Sequence, residues 1–172
     1  MSKRWMAIIL ILIALILGGG LFALSAWNNG VRQPIDFPHD KHVDIGMDCV
    51  SCHTGAQDGQ YAGIPLTKTC ALCHIPERSS PATPPELTQY LKSGEEVPWQ
   101  QVYRIRRHAY FSHRRHVKLG ELECKECHGD IESKDTPLSR PAFATVGPKM
   151  MNYCVDCHRK EKVTTDCLSC HR

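Results

Sequence analysis

The sequence predicts a fold of short helices and irregular loops without an aliphatic core of ordinary size, preceded by one membrane-spanning helix. Three observations predict it. The 172 residues include ten cysteines, and all ten fall into five copies of Cys-x-x-Cys-His. Residues 5–27 form an uncharged run of 23 that takes a disproportionate share of the 42% hydrophobic content. With that run set aside, roughly 145 residues must enclose five motifs, too few to build a normal core beside them.

The motif copies are Cys49-Val-Ser-Cys52-His53, Cys70-Ala-Leu-Cys73-His74, Cys124-Lys-Glu-Cys127-His128, Cys154-Val-Asp-Cys157-His158 and Cys167-Leu-Ser-Cys170-His171. Cys-x-x-Cys-His is the attachment signature of c-type haem. Two thiols add across the two haem vinyl groups, and the adjoining imidazole reaches the iron as proximal ligand. Zinc ribbons also pair cysteines in this way, and small secreted domains spend cysteines on disulfides. Neither requires a histidine after every second cysteine. The sequence therefore reads as a small multihaem cytochrome c, mostly irregular with short α-helices wrapped round five covalent haems, plus one N-terminal transmembrane helix. Such a chain collapses without its prosthetic groups, as small metal-dependent domains do.

The formal charge of +3 belongs to the haem-free chain. Five haems add about ten propionate charges, which brings the whole to about −7 reduced and about −2 oxidised. The basic balance is thus no argument for nucleic acid.

In chain order, residues 1–30 are the expected anchor. Lys3 and Arg4 precede the apolar run, which would span roughly 33 Å as a helix against a hydrocarbon layer of about 30 Å. Trp5 and Trp27 stand where interfacial aromatics belong, and the basic end stays cytoplasmic. The competing reading is a cleaved signal peptide, with its apolar core at 8–17 and small residues Ala23, Ser25 and Ala26 at the cleavage site. Both export the remainder to the periplasmic side of the cytoplasmic membrane. Residues 31–80 form a dihaem half, 81–98 a Pro-rich connector and 99–172 a trihaem half. Both halves open on one repeat: Phe37-Pro-His39-Asp-Lys-His42 before the first motif, Phe111-Ser-His113-Arg-Arg-His116 before the third. The spacing predicts a helix from about Pro85 to Lys92, ended by Gly94, and Glu95-Glu96 as a solvated turn. Arg104, Arg106, Arg107, Arg114 and Arg115 serve either solubility or pairing with propionates.

Ten histidines are present. His53, His74, His128, His158 and His171 are proximal, which leaves His39, His42, His108, His113 and His116 for the five opposite iron positions. Met47, Met150 and Met151 are the fallback ligands. A catalytic haem needs an open position, whereas an electron-transfer haem is filled on both sides. With ten positions filled by ten imidazoles, the chain reads as an electron relay with no catalytic site of its own. Bis-His ligation forgoes the potential-raising effect of axial Met. The alternatives are a stand-alone quinol dehydrogenase, or a multihaem reductase with one open haem.

Phe-x-His-x-x-His ahead of Cys-x-x-Cys-His resembles the small cytochromes of the c3/c7 class. That resemblance implies that His39 and His113 turn back to the motif that follows each, while His42 and His116 reach other haems. A longer series resembles the pentahaem cytochrome subunit of alternative complex III. It runs through Gln33-Pro-Ile-x-Phe37, Ala62-Gly-Ile-Pro65-x-Thr67-x-Thr69-Cys70, Val97-Pro-Trp99-x-x-Val102, His108-x-Tyr110-Phe111 and Tyr153-Cys154-x-Asp156-Cys157-His158-Arg159. In that family a histidine often stands where this chain has Tyr103. The resemblance implies a single N-terminal anchor and a quinol-oxidising membrane complex. Its partners would be an iron–sulfur, molybdopterin-oxidoreductase-like subunit and membrane quinol-binding subunits, with a mono-haem cytochrome c or terminal oxidase as acceptor.

Overall fold

The computed structural model describes residues 3–28, 30–75, 83–143 and 148–171. It divides into two compact units, Met1–Val31 and Arg32–Arg172. The first is a single helix, α1 (Lys3–Asn28). Within it Arg4–Phe22 is a 19-residue span of mean hydropathy 2.6, about 28 Å long at 1.5 Å per residue. Its large apolar side chains from Trp5 to Phe22 are exposed all round, which suits hydrocarbon and not water. The side chain of Trp27 and those of Ala23, Ser25 and Ala26 lie outside the described residues, as do residues 76–82 of the Pro-rich stretch.

The second unit is a string of short helices: α2 (His39–Asp44), α3 (Cys49–Cys52), α4 (Thr67–Cys70), α5 (Pro85–Ser93), α6 (Cys124–His128), α7 (Pro148–Lys160) and α8 (Cys167–Cys170). A π-helical turn, Arg114–Leu119, precedes α6. Among the described residues there is no strand, only one isolated antiparallel bridge between Ala109 and His171. Ile35, Leu87 and Val97 form the buried apolar cluster, with Cys70, Tyr90, Leu91 and Trp99 packed against it. No described side chain is completely buried. That is the expected signature of a chain with too little apolar residue to fill its own interior.

Helix α5 shows how the sequence sets the local structure. Pro85 occupies the first turn, where its missing N–H is not needed. Leu87, Tyr90 and Leu91 fall at i, i+3 and i+4, so one stripe faces the cluster. Gly94 ends the helix at φ 72°, a left-handed conformation that glycine adopts without strain. Beyond it Glu95 and Glu96 are exposed, as expected of a solvated turn, and they also tie this stretch to α4. The Glu96 carboxylate accepts the Thr67 N–H at 2.7 Å, at the start of α4. The buried Thr67 hydroxyl donates to the Glu95 carbonyl at 3.0 Å and accepts the Val97 N–H at 2.9 Å. The first amides of a helix lack internal partners and favour a negative charge, so the Glu96 carboxylate pairs with α4 while the residue stays exposed.

Candidate haem-binding sites

Each Cys-x-x-Cys-His sits on a helical turn. The N–H of His53 reaches the Cys49 carbonyl at 2.9 Å, that of His74 reaches Cys70 at 2.8 Å and that of His171 reaches Cys167 at 2.9 Å. Helical winding places residues three apart on one side, so both thiols of a motif face the same way. The third motif occupies α6, and the fourth lies inside the longer α7. At the fifth, Asp166 caps α8 by accepting the Ser169 N–H at 3.0 Å. The motifs are called sites 1 to 5 below, in chain order.

None of the ten cysteines is paired with another in a disulfide. Burial pushes the thiols of Cys49, Cys52, Cys70, Cys127 and Cys154 up, away from the reactive thiolate form. Among the described residues no group of three or more His, Cys, Asp or Glu side chains converges as a metal cage. A four-ligand zinc site needs such a cage, so the donor set does not suit zinc. It does suit a flat macrocycle held by two sulfurs and two imidazoles.

The imidazoles come together in pairs. His42 and His74 have ring centres 6.2 Å apart, His113 and His128 6.4 Å, His116 and His158 6.1 Å, and His108 and His171 5.5 Å. His39 interacts electrostatically with His53. Two imidazole nitrogens on opposite sides of one metal, each about 2 Å from it, put the ring centres about 6 Å apart. The pairs at 6.1, 6.2 and 6.4 Å meet that distance, and the fifth-site pair is tighter. In every pair one member follows a Cys-x-x-Cys, and the other belongs to the five remaining histidines.

Seven of the ten imidazoles are also held at Nδ1. The acceptors are the carbonyls of Pro38 for His42, Gly63 for His53, Gln60 for His113, Ser112 for His116, Thr164 for His158 and His108 for His171, at 2.7–3.2 Å. His74 Nδ1 instead meets the Thr83 hydroxyl at 2.9 Å. A carbonyl can only accept, so Nδ1 carries the proton in those six rings and Nε2 is left as a free lone pair. That tautomer is what metal-bound histidine requires. Burial is the first cause that pulls His39, His74 and His128 below their ordinary value. Neighbouring imidazoles add to it: His53 and His42 act on His39, His42 on His74, and His113 and His53 on His128. These rings are neutral near pH 7, as ligation demands.

The two repeats are built alike. Phe37 meets His39 edge-on at 4.9 Å and stacks on His42 at 4.4 Å. Phe111 does the same with His113 at 4.9 Å and His116 at 4.6 Å. The five arginines from Arg104 to Arg115 are exposed. Spacing did not point to Thr83, to the Thr67–Glu96 tie beneath site 2, or to Tyr103. Tyr103 meets His128 edge-on at 4.4 Å, and its hydroxyl accepts the Ala142 N–H at 2.9 Å.

Residues 109–172 match the family model described as cytochrome c7 and related cytochrome c. The motifs, the paired imidazoles and that match define the class: a multihaem c-type cytochrome. The chain is 31% identical over 183 residues to the menaquinone reductase, multiheme cytochrome c subunit, of Nitratidesulfovibrio vulgaris, covering 94% of this chain and 87% of the relative. It is also 31% identical over 117 residues to the acrylate reductase cytochrome subunit of Shewanella woodyi, covering 67% of this chain and 74% of that one. The chain therefore belongs to the cytochrome c7-related multihaem family, whose members carry covalently bound c-type haem.

Proposed function

We propose that the chain is a membrane-anchored pentahaem relay in a quinone-linked oxidoreductase complex, with its haem-bearing part on the periplasmic side. The proximal ligands would be His53, His74, His128, His158 and His171, opposed in the same order by His39, His42, His113, His116 and His108. When bound, each haem would supply a one-electron iron couple; the paired histidines would hold its iron from both sides and exclude exogenous ligands. The observation that carries this reading is that four of the five proximal imidazoles have a second imidazole at 5.5–6.4 Å, while His53 interacts electrostatically with His39. Both axial positions would then be filled, which favours electron transfer over substrate chemistry.

The finer reading is a complex like alternative complex III. Electrons would come from quinol through an iron–sulfur, molybdopterin-oxidoreductase-like subunit and leave toward a mono-haem cytochrome c or terminal oxidase. The menaquinone reductase relative, which matches nearly the whole chain, favours the opposite direction, into the quinone pool, as a second reading. Intact-mass analysis and electron paramagnetic resonance of the oxidised protein test the common core: five covalent haems and low-spin signals alone. A substantial high-spin signal at neutral pH would overturn the relay in favour of a reductase or a stand-alone quinol dehydrogenase. Native complex from membranes, assayed for quinol oxidation and for quinone reduction, separates the two directions.

A further inference from the structure

The reciprocal docking of the two repeats leads to an inference about the path between the haems, and it rests on the ligand reading above. The Arg114 N–H, one residue after His113, donates to the Gly59 carbonyl at 2.9 Å. The Asp40 N–H, one residue after His39, donates to the Lys134 carbonyl at 3.1 Å. Gly59 lies six residues after His53, and Lys134 six residues after His128. Each repeat therefore hands the backbone next to its first histidine to the same point in the loop of the other. The Nδ1 atoms of His42 and His116 likewise reach the carbonyls four residues back, at Pro38 and Ser112. Equivalent residues making equivalent contacts in both directions define an internal two-fold relation, the arrangement of an isologous dimer within one chain.

We propose that this two-fold sets sites 1 and 3 against each other, and that the five haem sites run in one unbranched line, 2–1–3–4–5. On the site 1 side, His39 and His42 lie three residues apart on α2 and face His53 and His74, so α2 bridges sites 1 and 2. On the other side, His113 and His116 face His128 and His158 and bridge sites 3 and 4. At the centre, besides the two reciprocal backbone hydrogen bonds, Cys49 interacts electrostatically with Cys124 and His53 with His128. At the remaining junctions the interactions are electrostatic: Cys52 with Cys70, Cys127 with Cys154 and Cys157, and Cys154 with Cys170. Tyr153 adds a hydrogen bond from α7 to the Glu126 carbonyl of α6 at 2.9 Å. Sites 2 and 5 are then the only sites with a single neighbour. Donor and acceptor take those two ends, and every electron crosses between the halves at sites 1 and 3.

The test counts neighbours. A haem that gains an electron makes only nearby haems harder to reduce, because charge interaction falls with distance and is screened. An axial Met raises one haem's potential, so that haem fills first. The holoprotein and its His42→Met, His108→Met, His113→Met and His116→Met variants are titrated with haem-resolved NMR. His42→Met and His108→Met, at the ends, are expected to lower the potential of one other haem each. His113→Met and His116→Met, in the interior, are expected to lower two each. Two affected haems in an end variant, or one in an interior variant, overturn the order and leave the ligands standing. A variant in which no haem rises overturns its ligand assignment, and the order with it. Where a variant fails to mature, stepwise reduction of the parent protein supplies the same count: two haems with one coupled neighbour and three with two. Any other count overturns the line.

Discussion

Thr67→Val removes one oxygen and keeps the side-chain shape, at the point where α4 is tied to the turn beyond α5. The threonine is 6% exposed, and its hydroxyl both accepts the Val97 N–H and donates to the Glu95 carbonyl. Val97 is itself 6% exposed, so its N–H has no route to water once the acceptor is gone. An orphaned buried donor costs about 1–3 kcal/mol. Glu95 is exposed, and water replaces the donor its carbonyl loses. The sum is roughly 2 kcal/mol, which lowers the midpoint of thermal unfolding by about 4–8 °C for a chain of this size. Far-UV circular dichroism of the ferric holoprotein measures the shift. Thr67→Ser is the control: it keeps both hydrogen bonds and loses a methyl, worth about 0.8 kcal/mol or less. A valine variant that unfolds within about 1 °C of the parent, or a serine variant worse than valine, would show that the hydroxyl does not hold this tie.

Other consequences can be measured separately. His108→Met is expected to keep five haems and to move one of them to a clearly higher potential; a redox titration that overlays the parent would remove His108 from the ligand set and the fully bis-His reading with it. Leu87→Ala empties the centre of the small apolar cluster and should cost about 2–4 kcal/mol, because so few neighbours can close over the gap; denaturant titration reads it, and a loss below about 1 kcal/mol would mean that the cluster is not what holds α5. The full-length protein should remain in the membrane fraction through a high-salt wash and leave it in detergent, since hydrocarbon burial of Arg4–Phe22 is indifferent to salt. A mature N-terminus found near Trp27 would instead identify a cleaved signal.

Much of this architecture could be read from side-chain chemistry alone. Five Cys-x-x-Cys-His motifs, two Phe-x-His-x-x-His repeats and the Pro85-to-Gly94 helix each need particular residues at particular spacings, so they leave a pattern. The rest left none, for a physical reason. Thr67 and Glu96 are 29 residues apart, and nothing local marks either as the other's partner. The reciprocal ties at Gly59 and Lys134 use main-chain carbonyls, and those two residues share no side-chain property. The acceptors of the Nδ1 protons are mostly main-chain as well, so proline, glycine, glutamine and serine all do the same task. Glu95-Glu96 is exposed, as two charges in a row suggest, but that pattern does not reveal that the free amide at the start of α4 takes one of the carboxylates.

The backbone acceptors also bear on how this protein can evolve. A ligand whose second nitrogen is held by a side chain can be retuned by one substitution there. A ligand held by a main-chain carbonyl cannot, because every amino acid carries the same carbonyl. Six of the imidazoles are insulated in this way from point mutation of their partners. His74 is the exception, since it leans on the Thr83 hydroxyl. With these imidazoles as the proposed haem ligands, drift elsewhere in the chain should leave six of their environments nearly constant while the proposed haem at site 2 stays adjustable. A lineage that changes electron donor or acceptor would find at residue 83 a place to reset one potential without disturbing the others.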